Sequence, residues 1–230
     1  MDEGVGGFAS INAMQGYRPN PVVQYAIQLM RAQRADKALP AMPGPNPPTK
    51  IENARDYAGK YSSLTGGALE LAAEGQRLFL LHKGRKVSLE AASLDTFTVR
   101  HRDFERFPLI LSRADAKDPK SKVVEAAWGG DWYFNSRYSG PKKFDHPKEW
   151  DSYVGHYRNE NPWVGSVRIM LRKGNLVMDG ATPLEPGEGG VFYLRDDEHN
   201  PEWISFGEVV NGHCMRVKLS GEDLWRVMTA

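Results

Sequence analysis

The sequence predicts a mainly β chain: two small antiparallel barrels in tandem, preceded by a short strand and a helix. Three observations lead there. Tyr57-Ala58-Gly59-Lys60-Tyr61 returns as Tyr153-Val154-Gly155-His156-Tyr157, so the chain carries an internal duplication. Each copy is followed by a similar series of short apolar strands. Beyond residue 50, turn residues recur at roughly 8–12-residue intervals with no helical period, the spacing of an all-β region.

The first segment, residues 1–39, differs from the rest. A Gly-rich opening, Gly4-Val5-Gly6-Gly7, leads into Phe8-Ala9-Ser10-Ile11-Asn12-Ala13, which reads as a short strand. Asn20-Pro21 then starts a helix, with Asn as N-cap and Pro at the first helical position. Val22, Ala26, Leu29 and Met30 recur at helical spacing, and Arg31 and Arg34 suit the C-terminal end of the helix dipole. Val23, Tyr25 and Ile27 add apolar flanks, so the helix is expected to be largely buried, although so short a segment offers little to bury it against. Residues 40–50 form a linker. Leu39 to Pro48 holds five prolines in ten residues, which neither a helix nor a central strand tolerates, so it behaves as a semi-rigid spacer.

The repeats occupy 51–140 and 141–230. In the first, Leu69-Glu70-Leu71, a turn at Gly75 and Leu78-Phe79-Leu80 follow the motif; in the second, Val167-Arg168-Ile169, Gly174 and Leu176-Val177-Met178 do so. Phe97-Thr98-Val99 matches Phe192-Tyr193-Leu194, and each copy closes on a Trp-containing strand, Asp131–Phe134 and Leu224–Met228. Met215, Val217 and Leu219 alternate with Arg216 and Lys218, the period of a half-buried strand. Roughly 90 residues per copy suffice for about eight short strands, enough to close a small barrel and remove its edges. One larger barrel built from both copies is the alternative.

Composition excludes several classes. The 230 residues are 40% hydrophobic and 26% charged, as in a globular chain of one large or two small domains. Thirty basic residues against 29 acidic leave a net charge of +1, which points to neither nucleic acid nor an acidic substrate. No apolar run approaches the roughly 20 residues that cross a bilayer, and the acidic, Gly-rich start is unlike a signal peptide. The single cysteine, Cys214, excludes an internal disulfide and a multi-cysteine zinc site. Neither nucleic acid nor membrane is expected as a partner, no cofactor is expected, and the compartment is left open.

At the level of families, Gly4 to Ala13, the Tyr17-Arg18-Pro19-Asn20-Pro21 helix start and the helix after it resemble the last strand and C-terminal helix of serine β-lactamase and penicillin-binding-protein-like hydrolases. The Tyr-x-Gly-x-Tyr repeats resemble the lipocalin-like barrel domains that follow such catalytic domains in the D-aminopeptidase group. The resemblance implies that residues 1–39 are the end of an α/β catalytic domain whose nucleophile lies upstream. It further implies that the chain is a non-catalytic accessory region shaping active-site access, substrate choice or oligomerisation. Its partner would be the N-terminal serine-hydrolase domain of the parent protein, with self-association a further expectation. One barrel of that group sends a loop towards the active site, and here the corresponding candidate is Glu185, Pro186, Gly187, Glu188 and Gly189. A stand-alone barrel binding a small apolar ligand is the alternative.

The chain does hold matches to the catalytic motifs of those hydrolases: Ser139-Gly140-Pro141-Lys142, Tyr133-Phe134-Asn135, Tyr157-Arg158-Asn159 and His82-Lys83-Gly84. Ser-x-x-Lys works when both side chains lie one helical turn apart, and Gly140 and Pro141 prevent that turn. The order is wrong as well, and no catalytic residue is assigned; Ser136 to Pro147 reads as the connection between the barrels. Of the six histidines, His82, His101, His146, His156, His199 and His213, none pair at the spacing that presents two imidazoles to one metal. His199 beside Asp196-Asp197-Glu198 reads as an acidic hairpin tip. His213 and Cys214 point to opposite faces of a strand, leaving Cys214 as a small buried hydrophobe. Arg100, His101 and Arg102, and Lys117, Lys120 and Lys122, read as solvated hairpin edges. Trp128, Trp132, Trp150, Trp163, Trp203 and Trp225 are assigned to the core and to barrel closure. Ser62 to Gly67 and Pro183 to Gly190 are Gly-rich loops without the Lys of a phosphate-binding loop.

Overall fold

The computed structural model describes residues 4–10, 20–42, 49–161, 165–195 and 199–228. Helix α1 (Asn20–Arg34) stands before the first barrel, and one-turn helix α2 (Ala54–Tyr57) leads into it. That barrel comprises β1 (Gly59–Ser62), β2 (Ala68–Glu74), β3 (Arg77–His82), β4 (Arg85–Ser93), β5 (Thr96–Val99), β6 (Leu109–Arg113), β7 (Val123–Trp128) and β8 (Asp131–Phe134). A second one-turn helix, α3 (Trp150–Tyr153), precedes β9 (Gly155–Arg158), β10 (Ser166–Arg172), β11 (Asn175–Met178) and β12 (Thr182–Pro186). The last four strands are β13 (Val191–Leu194), β14 (Trp203–Val210), β15 (His213–Leu219) and β16 (Glu222–Arg226). Within each set of eight, every strand pairs antiparallel with its neighbours in sequence, and each set closes on itself. The alternative of one large barrel is thereby excluded.

Alternation builds both cores. Along β2, Leu69 and Leu71 point inward while Ala68 and Glu70 face water, and Val167 and Ile169 do the same on β10. The first interior is filled by Tyr61, Leu80, Leu89, Phe97, Leu109 and their neighbours, the second by Tyr157, Ile169, Leu176, Ile204, Val217 and Leu224. Each fully buried Leu, Ile or Phe contributes about 1.5–3 kcal/mol, so these clusters drive folding. Cys214 is completely buried among them.

Closure is thin by comparison. β1 meets β8 at one residue pair, Ser62 with Phe134, and β9 meets β16 at Arg158 with Trp225 and Tyr157 with Arg226. The repeated motif reinforces both seams. The Tyr61 hydroxyl donates to the Tyr57 carbonyl at 2.8 Å, and the Tyr157 hydroxyl to that of Tyr153 at 2.6 Å. The second tyrosine of each motif thus ties the end of the one-turn helix to the first strand. In the second barrel Arg226 adds a clasp, donating to the carbonyls of Cys214, Ser152 and Val154 and to the Tyr157 hydroxyl. Asn135 follows the last strand of the first barrel as Arg226 ends that of the second, and its amide donates to Val123. There the larger cation is Arg113 on β6, whose buried guanidinium forks onto Asp95 and reaches the Tyr57 hydroxyl.

The glycine of the motif is required for a different reason in each copy. Gly59 has φ +143°, a conformation that L side chains rarely adopt, with open space around it. Gly155 has ordinary backbone, but a Cβ there would run into the Arg226 guanidinium.

The β7–β8 turn joins the barrels. Arg172 Nη1 donates to Gly129 of the first barrel at 3.0 Å and to Gly180 of the second at 2.9 Å. Lys173 Nζ donates to Glu125 at 2.6 Å and lies over the rings of Trp132, Tyr138 and Phe144. Any side chain at Gly180 would meet the Gly129 backbone and the Phe107 ring.

Four expectations need correction. Phe8, Ala9 and Ser10 are irregular rather than strand: among the described residues the segment has helix α1 beside it at Gly7 and no strand to complete a ladder; Ile11 to Ala13 are outside the described residues. Helix α1 forms where expected but buries no residue, since the barrels consume their apolar faces internally. Two one-turn helices interrupt the all-β repeats. The tryptophans are partly buried rather than central to the cores among the described residues: Trp128 and Trp150 pack against the two clusters, and Trp225, half exposed, pairs with Arg158 at the closure of the second barrel, the role expected of it. Trp163 lies outside the described residues.

Arg226→Met is expected to destabilise the second barrel by about 2–4 kcal/mol through loss of its charge-assisted hydrogen bonds, read as a lower urea midpoint. Gly155→Ala should give a loss of similar direction by displacing the same guanidinium.

Candidate functional site

Each barrel has one end closed by its one-turn helix. In the first, Ile51, Ala54 and Tyr57 are buried there, with Tyr57, Asp95 and Arg113 mutually satisfied. Burial and the Asp95 carboxylate push the Tyr57 phenol above its ordinary range. A closed ion-pair cluster of this kind has its polar atoms engaged with one another and holds structure.

The opposite rim of the first barrel is different. β3 ends at His82, the β3–β4 turn places Lys83 beside it, and the β5–β6 connection brings His101 and Asp103 to the same place. His82 Nε2 lies 3.0 Å and His101 Nδ1 3.8 Å from Asp103 Oδ2, which also accepts from Lys83 Nζ at 2.9 Å. Hydrogen bonds from Lys83 and His82 hold the Asp103 carboxyl down to about 2. Phe104 backs the group, its ring 4.9 Å from that of His82 and 5.3 Å from that of Trp128. Sequence reading placed His82 in a hairpin and His101 on a basic edge. Nineteen positions apart, they meet only because β3, β4 and β5 pair in register.

The apparent catalytic motifs fall in places that separate their members. Ser139 is exposed in the connection between the barrels, and the Lys142 ammonium sits 4.7 Å over the Phe134 ring. Tyr133 is buried, its phenol pushed up to about 12 mainly by desolvation, and Tyr157 is raised further for the same main reason. Neither phenol is placed to act as a base near neutrality. Cys214 faces inward and His213 outward. Asp196 to Glu198 are outside the described residues.

The five loop residues form a tight hairpin end. Glu185 and Pro186 finish β12 opposite Tyr193 and Phe192, Glu185 accepts from Arg195 at 3.1 Å, and Gly187 donates to Val191 at 2.8 Å. Glu188 and Gly189 lie exposed in the 3-10 turn that follows, at the same end of the second barrel as α3. Of the basic edges, Arg100 pairs with Glu90, and Lys117 and Lys120 donate backbone N–H groups to Asp115 and Asp118.

Open clefts lie outside both barrels. One of about 640 Å³ runs along α1, lined by Gln28, Arg31, Ala35 and Pro40 among others; another borders Arg158 and Trp225. Among the described residues, no helix is long and apolar enough to cross a membrane. No family model matches the chain, and no curated protein matches it.

His156, opposite Arg168 on the β9–β10 ladder, has its Nε2 buried without a hydrogen-bond partner. Desolvation, then the charges of Arg168, Arg106 and Arg158, hold its imidazole below the ordinary 6.5. The unfolded chain therefore takes up this proton first as pH falls, so the contribution is full above about pH 6.5 and declines below it. The urea midpoint should drop between about pH 7.5 and 5.5, and His156→Gln should drop less; equal drops would show that His156 does not titrate between the two states.

Proposed function

We propose that this chain is a non-catalytic accessory region that works on a neighbouring domain. The observation that supports this best is α1. It carries Val22, two-thirds exposed, and Met30, nearly half exposed, and buries nothing, while the barrels fill their own interiors. A helix that leaves apolar side chains uncovered on the far side of a proline-rich spacer calls for a partner surface. Taken with the resemblance of residues 1–39 to the end of a β-lactamase-type domain, the partner is a serine hydrolase of the β-lactamase or D-aminopeptidase type. In this reading the lipocalin-like barrels shape access to its active site, its substrate choice or its oligomerisation. The Glu185–Gly189 hairpin is the element proposed to lean on that site. Fold analogy carries the hydrolase part of the proposal, and the exposed helix carries the docking part.

The test is intact-mass measurement of the chain after exposure to a fluorophosphonate and a β-lactam. The expected result is no adduct; a stoichiometric adduct mapped to Ser139 or any other residue would make the chain itself an enzyme. In the complete hydrolase, shortening the Glu185–Gly189 hairpin should alter kcat/KM between substrates of different size, and unchanged values would remove that hairpin from the proposal. Titration with an apolar dye should show no saturable stoichiometric binding, because both interiors are occupied by side chains.

A further inference from the structure

We propose that His82, His101 and Asp103 bind a late first-row divalent cation of the zinc type at the open rim of the first barrel. The three candidate ligand atoms lie within 4.8 Å of one another. Metal–ligand distances of about 2.0–2.2 Å put neighbouring ligand atoms of a tetrahedral site about 3.3 Å apart. The observed 3.0 and 3.8 Å to Asp103 Oδ2 bracket that edge. Small side-chain adjustments complete the geometry, and all three side chains retain 21–33% exposure, so an ion has a path in. Two imidazole nitrogens and one carboxylate select zinc, nickel or copper over magnesium or calcium, which prefer all-oxygen sites. Three protein ligands leave a fourth position for water or an incoming donor.

Two local features show what the cation displaces. Lys83 Nζ already supplies positive charge to Asp103 Oδ2, from a side chain that is three-quarters exposed and free to swing away. His101 Nδ1 accepts the Asp103 backbone N–H at 3.1 Å. That bond occupies the one in-plane lone pair of Nδ1 and places the proton on Nε2, so a cation takes this lone pair over from the Asp103 N–H. Binding exchanges the backbone hydrogen bond to His101, the exposed Lys83 ion pair and the hydrogen bond between His82 Nε2 and Asp103 for three metal bonds, with the remaining proton of His82 on Nδ1.

The position gives the ion a structural task. His101 and Asp103 belong to the β5–β6 connection, which also carries Phe104 onto Trp128 and Phe107 against Gly180 of the second barrel. A cation would pin this connection to the β3–β4 turn and so brace both the rim and the joint between barrels.

The experiment is equilibrium dialysis of the full chain, stripped with chelator, against Zn²⁺, with the visible spectrum of the Co²⁺ form as a second readout. One equivalent should bind, and the Co²⁺ bands should be those of a four-coordinate site. His82→Ala and Asp103→Asn should each weaken binding by about 10- to 100-fold, and His213→Ala should not. Lys83→Met should tighten binding several-fold, because it removes the competing cation without touching a ligand. Thermal unfolding in chelator verifies that each variant folds. Absence of stoichiometric binding, or binding unchanged by His82→Ala and Asp103→Asn, would overturn the proposal, as would weaker binding in Lys83→Met.

Discussion

A barrel exists only if its first and last strands meet, and here that meeting is the weakest part of the backbone. One residue pair closes the first barrel and two close the second. Hydrophobic cores of this size compact a sheet, but they do not choose which edges join. The selection comes from a small set of directional bonds at the end of each barrel. Tyr61 and Tyr157 each pin a one-turn helix across the opening, and Arg226 gathers the carbonyls of Cys214, Ser152 and Val154. A hydrogen bond to a charged group contributes about 1.5–3 kcal/mol. The clasps therefore weigh as much as a buried leucine while being far more specific in direction.

The duplication was legible in the sequence because the residues that repeat are the residues of the clasp. The second tyrosine is demanded by the bond from its hydroxyl to the carbonyl four residues back, and the glycine by its φ in one copy and by the Arg226 guanidinium in the other. The strands were legible for an equally local reason, since alternation along β2 and β10 follows from one wet and one dry face, whereas β15 buries Cys214 as well as Val217 and departs from the expected period. What was not legible depends on partners distant in sequence. Asp95 and Arg113 look like ordinary charged residues of a hairpin, yet they form the buried ion pair on Tyr57. Helix α1 shows the opposite failure. Its helical period is real, but a period states which face is apolar and not whether anything covers it.

The rim group illustrates the same limit for chemistry. Spacing rules detect metal ligands that share a helix or a strand, and His101 with Asp103 has such a spacing but needs a third donor. His82 arrives from two strands away through the Leu80–Val87 and Leu89–Val99 pairings. The ladder thus converts separate, unremarkable residues into a cluster. Neither hairpin alone contains enough information to show it.

The two ends of the first barrel also differ in how their charges are treated. At the helix-closed end, Arg113 has 3% of its side chain exposed and Asp95 16%, and four of the five guanidinium N–H groups are directed at Asp95, Ser121 and Tyr57. Removing either partner would strand a buried charge at a cost of about 3–5 kcal/mol, so this end resists change. At the open rim, Asp103 serves Lys83, His82 and His101 through one oxygen, and all of them keep contact with water. Exchanging partners there costs little, because solvent covers whatever is released. The first barrel thus fixes its charges at one end and leaves them exchangeable at the other, and it is the exchangeable end that the proposed cation would use. The β5–β6 connection carries that rim to the second barrel through Phe107, so the exchangeable end is also the end that touches the rest of the molecule.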